Sequence, residues 1–200
     1  MQNGRVDHTV YDRLLKKHVD DQGFVAYQTW KAQDEGTLDG YLAAIGKVDP
    51  ALLKNDSERM VFWINVYNAL TLKGMLHFYP TKSIRDHVKT LGYSIWKDYK
   101  LRIHGNDYSL DDIEHKILRK MNEPRVHFAI VCASVGCPPL LNEAFSTERL
   151  EAQLTERSIT FFANPDKFRV DPGKKTVWLS PILDWYKDDF GKSQRERLDY

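Results

Sequence analysis

The stretch from Met60 to Leu72 carries no formal charge and is apolar nearly all the way round a helical wheel. A helix with that character has no face to offer water and must be wrapped by the rest of the chain. The pattern predicts a helix over residues 57–78, and Pro80 prevents its continuation. Trp63, Asn65, Tyr67 and Asn68 lie inside this run. A buried amide costs free energy unless its donors and acceptors are paired. Asn65 and Asn68 are therefore expected either to tie neighbouring loops to the helix or to orient a catalytic group. With 200 residues, the chain is long enough to supply such a wrapping as one domain.

The remaining segments read as covering material. A short amphipathic helix is expected at 8–18, a brief strand at 24–27, and a helix at 34–46 that stops at Gly46. A further short helix is expected at 82–88, followed by a hairpin of 99–104 and 107–109 turning at Gly105-Asn106. Ser109 is placed to cap a helix over 110–120, with Asp111 and Asp112 in its first turn. VHFAIVC (126–132) is apolar and β-prone and reads as a central strand. A helix over 148–163 follows, then a hairpin of 167–170 and 176–179 across DPGKK. Last comes a short helical segment from Pro181, anchored by Trp185, Tyr186 and Phe190. No linker or repeat divides the chain. The expected fold class is α+β: a single compact domain over 1–200 with a buried central helix. Its small antiparallel or mixed sheet would draw on 99–104, 126–132 and the 167–179 hairpin.

Lys and Arg number 29 against 28 Asp and Glu, a formal charge of +1 that gives no broad pull toward nucleic acid. There is no Walker sequence and no Gly-rich phosphate cradle. The longest uncharged run, 126–142, contains Pro138 and Pro139 and makes a poor membrane span. The first 20 residues hold no apolar core of an export signal. Neither a metal nor another cofactor is expected. Cys132, Cys137, His127 and His115 could be gathered as ligands, but their spacing matches no common closed site.

Cys137 is the leading chemical candidate. It sits between Gly136 and Pro138-Pro139, whose fixed backbone should give the side chain a defined direction. A thiolate is a strong nucleophile once a neighbouring group lowers its pKa. His127 or His115 could serve as base, with Glu114, Asn65 or Asn68 holding the ring in the right tautomer. Cys137 could equally be structural, redox-active or bonded to Cys132. A strand running into a Pro-fixed loop argues against bringing the two Cα atoms within the roughly 7 Å a disulfide needs, and Cys132 reads as buried and inert. Trp30, Trp96 and Trp185 leave room for a peptide- or protein-binding groove.

Three segments together resemble the DUF547 family, a domain family of unknown function: FWINVYNALTLKGML (62–76), SLDDIEHKILR (109–119) and RVHFAIVCASVGCPPLLNEAF (125–145). VYDRLLKKHVDDQGFVAY, STERLEAQLTERSITFF and LSPILDWYKDDF extend the likeness over most of the chain. The resemblance implies that Trp63, Asn65, Tyr67, Asn68, Glu114, His115, His127 and Cys137 are the family's motif residues, and it raises Cys137 above Cys132. It supplies no reaction. Both histidines precede the cysteine, opposite to the papain order, and Ser180-Pro181 stands where bacterial relatives carry Ser-Lys. Bacterial relatives resemble exported or lipid-anchored proteins and plant relatives resemble intracellular proteins with an added coiled coil, so the resemblance leaves the compartment open, with a periplasmic or exported setting as one expectation. Relatives also continue with an apolar stretch past WYKDDF, so the resemblance implies a C-terminus that is either truncated or unusually short. No oligomeric state is implied.

The expected activity is that of a cysteine-dependent hydrolase or acyltransferase acting on a peptide, amide or thioester. Cys137 attacks, His127 is the base and His115 its substitute, and Glu114 or Asn68 orients the ring. Asn65 supports the site or polarises an oxyanion, with Trp63 and Tyr67 in support. The other expectation is a non-catalytic module that binds a peptide or protein partner.

Overall fold

The computed structural model describes residues 6–81, 95–133 and 136–200. The short helix expected at 82–88 lies outside them. The first helices are α1 (Thr9–His18), α2 (Tyr27–Ile45) and α3 (Asp56–Phe78). Every residue of α3 from Met60 to Leu72 is buried, as its lack of charge requires. Its start is fixed chemically: the Asn55 side chain accepts from the Glu58 N–H, and the Glu58 carboxylate accepts from the Lys54 N–H. One of the four orphan donors at this helix start is thereby satisfied, and the residue before the N-cap is tied back to the first turn.

The 24–27 segment is not a strand. Only an isolated bridge joins Val19 to Val25, and α2 begins at Tyr27, well before residue 34. The early turns of α2 are drawn in by Trp30, which is fully buried and stacks on the His18 ring at 4.9 Å. His18 is in turn bonded to Asp34 at 2.7 Å.

After α3 come a single turn, α4 (Ile95–Asp98), and the hairpin of β1 (Lys100–Ile103) with β2 (Asn106–Ser109). Its two-residue loop is His104-Gly105, one position earlier than expected, and both residues have positive φ (45° and 83°). That is the twist a tight hairpin turn needs. Ser109 does cap the next helix: its hydroxyl accepts from the Asp112 N–H, and the Asp112 carboxylate takes both the N–H and hydroxyl of Ser109. The helix itself is wide, π-type over Asp112–Ile117, and tightens to a 3-10 turn over Leu118–Met121.

The expected central strand at 126–132 is the clearest correction. Residues Val126–Ala129 form a helical turn, α5, and only the chain after it is extended. Pro124 presets the backbone for a helical turn, and the Glu123 carboxylate caps it by accepting from the Arg125 N–H. β-propensity loses to this local cap. The extended chain that follows is paired with a side chain instead of a strand. Asn68 Nδ2 donates to the Ala129 carbonyl at 3.0 Å, and the Val131 N–H donates to Asn68 Oδ1 at 2.9 Å. Asn65 makes the same two-bond clamp on Phe145, both bonds at 2.9 Å. Of the two roles open to these amides in sequence, tying loops to α3 is the one seen.

The chain ends with α6 (Leu150–Ala163), the hairpin of β3 (Phe168–Asp171) and β4 (Thr176–Leu179), and three short helices: α7 (Ile182–Trp185), α8 (Lys187–Phe190) and α9 (Gln194–Asp199). Among the described residues the strands make two separate antiparallel hairpins, not one sheet. The fold is α+β, with α3 at its centre. A second, smaller apolar cluster joins Phe128 of α5, Phe161 of α6, Ile182 of α7 and Phe190 of α8. It brings the C-terminal helices onto the motif-bearing turn. Among the described residues no helix is long and apolar enough to cross a membrane.

Candidate active site

Three separated motifs and the C-terminal helices converge on a polar cluster next to that second core. Tyr67 comes from the middle of α3, Glu114 from the π-type turn, His127 from α5, and Tyr186 and Asp189 from the α7–α8 corner. Glu114 is buried and accepts from two phenols: Tyr67 at 3.1 Å, and Tyr186 through a short bond to its other oxygen. Burial and the neighbouring Glu114 hold both tyrosine pKa values above the ordinary phenol range, so the hydroxyls stay protonated and donate.

His127 is buried, and its ring stacks on Tyr186 with centroids 3.9 Å apart. Its Nε2 lies 2.8 Å from Asp189 Oδ2. Asp189 is gripped from the other side by Arg119, whose Nε and Nη2 donate to its two oxygens at 2.6 and 2.9 Å. Burial alone would raise the Asp189 pKa, but bonds from Arg119 and His127 outweigh it and hold the pKa below the usual carboxylate value. An ionised carboxylate can only accept, so the His127 proton sits on Nε2 and Nδ1 keeps the lone pair. Burial, only partly opposed by Asp189, lowers the His127 pKa. The ring is therefore neutral at pH 7 and competent to take up a proton.

The sequence candidates divide accordingly. Glu114, Tyr67 and His127 come together. His115 turns away to the half-buried rim, where its Nδ1 accepts from Arg119 Nη1 at 3.0 Å, with Asp111 3.8 Å from its Nε2. Trp63 packs in the main core against Phe62 and Tyr108. Asn65 and Asn68 spend their amides on main chain. The carboxylate that holds the His127 ring is Asp189, rather than Glu114. Sequence reading missed Asp189, Tyr186 and Arg119. Arg119 closes the SLDDIEHKILR motif without standing out in it, and for the other two the signal was WYKDDF, where nothing distinguishes Asp189 from Asp188 before the fold is known.

Cys137 is bonded to Cys132, with the Cα atoms 6.2 Å apart. The Pro-fixed loop thus permits the approach that the sequence argued against, and Cys132 is half-buried rather than sealed in a core. Both flanks are held: Asn68 clamps the chain on the Cys132 side, and Lys167 donates to the Gly136 carbonyl at 3.1 Å. Downstream, Gly23 (φ 83°) lies so close to the loop that a Cβ there would sit 2.7 Å from Pro139 Cβ. The neighbours of Cys137 and His127 are both tied to the last turn of α6 and the chain just after it. Phe128 packs on Phe161 and Phe162 of α6, Phe162 on Phe168, and Lys167 reaches Gly136.

A cleft of about 450 Å³, lined by Asp12, Glu58, Glu143 and Arg149 among others, contains none of the His127 cluster. A smaller one of about 120 Å³ opens beside Arg119 and Asp189. Among the described residues no group of three His, Cys, Asp or Glu side chains is placed to hold a metal ion.

Two histidines, buried His127 and half-buried His8, set an acid limit to stability. Burial lowers the pKa of His127, and burial likewise lowers that of His8, to about 4. In the unfolded chain both titrate near 6.5, so below about pH 6.5 the unfolded state binds protons that the folded state refuses. Stability is expected to fall from there toward pH 4, and the ionised Asp189 adds to the loss at lower pH. Urea midpoints measured from pH 7.5 to 4.5 check this. An H8Q/H127Q variant should show a flatter profile, and an unchanged wild-type midpoint would contradict it.

The family described as "Protein of unknown function, DUF547" matches residues 51–162. That span holds α3, the Glu114 turn, α5 and both cysteines, whereas Tyr186 and Asp189 lie beyond it. No curated protein and no solved structure matches the chain. The match covers more than half of the 200 residues, and the chain belongs to the DUF547 family.

Proposed function

We propose that this protein is a cysteine-dependent hydrolase or acyltransferase acting on a peptide, amide or thioester carbonyl. Cys137, once its sulfur is free, is the nucleophile, and His127 is the base. The observation that supports this reading best is the 2.8 Å bond from His127 to Asp189, itself held by a bidentate arginine. A fixed tautomer with a free lone pair on the opposite nitrogen is what a thiol-activating imidazole requires. Glu114 acts at one remove, by fixing the Tyr186 ring on which the imidazole stacks.

The test is acylation of the reduced protein with p-nitrophenyl acetate. A burst of nitrophenolate is expected, with the acetyl group mapped to Cys137. The burst should vanish in C137S and slow by about 10²–10⁴-fold in H127Q, the usual range for removal of a general base. Acylation that survives C137S would overturn the reading.

A second reading, a peptide- or protein-binding module, draws on the β3–β4 hairpin. The cross-strand pairs Phe168–Leu179 and Val170–Val177 put four apolar side chains on one face, and all four are exposed. Selection from a displayed peptide library, with loss of enrichment in V170E/V177E, is the result that would favour it.

A further inference from the structure

We infer that the Cys132–Cys137 bond is a redox switch on the proposed nucleophile: oxidation withholds the Cys137 sulfur, and a dithiol reductant releases it. The inference rests on the cysteine reading above and adds its regulation.

The two cysteines are built to close on each other. The chain entering the ring is clamped by Asn68 at Ala129 and Val131, and Gly136, the ring residue just before Cys137, is held by Lys167. With the chain held just before each cysteine and the Cα atoms 6.2 Å apart, the bonded pair sits at an ordinary disulfide separation. Holding two thiols at such a high effective concentration favours the closed form over mixed disulfides with small monothiols. A disulfide sulfur carries no thiolate, so the oxidised protein has no nucleophile at Cys137.

Opening consumes one dithiol. Its thiolate attacks one ring sulfur and displaces the other as thiolate. Its second thiol then resolves the mixed disulfide, leaving two protein thiols and one oxidised reductant. Both cysteines are half-buried rather than sealed in the core, so an attacking thiolate can approach the ring from its exposed side. Neither cysteine belongs to the apolar clusters that carry the fold, so opening the ring should leave the fold in place.

The full chain is equilibrated in reduced and oxidised dithiothreitol mixtures, quenched in acid, alkylated and weighed intact. Circular dichroism is recorded at each ratio. The folded protein is expected to need at least about tenfold more reductant than the same chain in urea to reach half-opening, with an unchanged spectrum. In the same mixtures, wild-type acylation by p-nitrophenyl acetate should track the fraction opened, while C132S, which cannot close, should acylate at every ratio.

Two free thiols wherever the urea-unfolded chain is already closed would overturn the switch. So would unfolding on reduction, or acylation of Cys137 that ignores the redox ratio. If the ring opens as expected but reduced wild type and C132S both fail to acylate, the acyl-transfer reading falls, and with it the switch as a control on that nucleophile. If both acylate but no ring forms, the switch alone falls.

Discussion

Replacing Asn68 with Leu is expected to lower the unfolding free energy by about 3 kcal/mol, a large loss for a near-isosteric change. Leucine fills the space, so the cost does not come from a cavity. It comes from stripping the Ala129 carbonyl and the Val131 N–H of the partners that Asn68 supplies. An unsatisfied buried polar group costs roughly 1–3 kcal/mol, and two are created. The Asn65→Leu variant should behave alike, because it strands the N–H and carbonyl of buried Phe145. Urea unfolding with a common m-value measures both. A loss below about 1 kcal/mol in either would mean that water reaches these groups and that the amides are not structural clamps. The Asn68 variant should also make the Cys132 flank less constrained, since the clamp lies one residue before it.

The Asp189→Asn substitution should act mainly on chemistry. The amide keeps the size of the side chain but presents no charge to Arg119 and can donate to Nε2, which would flip the imidazole tautomer and turn the lone pair away from Nδ1. In a histidine-based hydrolase a change of this kind costs up to about 10⁴ in rate, and a fall of about 10³ in the acylation rate of the reduced protein is expected. Stability should fall as well. The full cost of breaking a sealed ion pair, 3–5 kcal/mol, does not apply, since Arg119 and Asp189 keep 27% and 20% of their side-chain surface. A loss of about 2 kcal/mol fits that exposure better. If D189N acylates at the wild-type rate, Asp189 has no hold on the base.

What could be read from the chain, and what could not, follows from the range of the interactions involved. The buried helix α3 was legible because the absence of charge over Met60–Leu72 and the stop at Pro80 are local signals. Both hairpins were legible for the same reason. The VHFAIVC segment misled because its β-prone residues are real, while the cap at Glu123-Pro124 and the pairing with Asn68 are contacts that composition does not weigh. The extended chain there behaves as a strand whose neighbour is a side chain 61–63 residues away.

The site divides along the same line. Glu114, His127 and Tyr67 could be singled out by motif, but their joining residues could not: Asp189 is 62 residues from His127, and Tyr186 is 72 from Glu114. The Cys132–Cys137 bond turned on the path of a short loop. Pro138 and Pro139 restrict the backbone after Cys137, but that local restriction does not say whether the two sulfurs meet.

The most direct measurement is the pH–rate profile of Cys137 alkylation in C132S, where it is the only thiol, recorded also in the H127Q, D189N and H115A backgrounds. Circular dichroism at each pH guards against unfolding. An activated thiol should react with an inflection well below the ordinary value of about 8.5. H127Q and D189N should return that inflection to the ordinary value, and H115A should leave it in place. An inflection near 8.5 in the folded C132S protein, unmoved by loss of His127 or Asp189, would contradict the assignment of Cys137 and His127 as nucleophile and base.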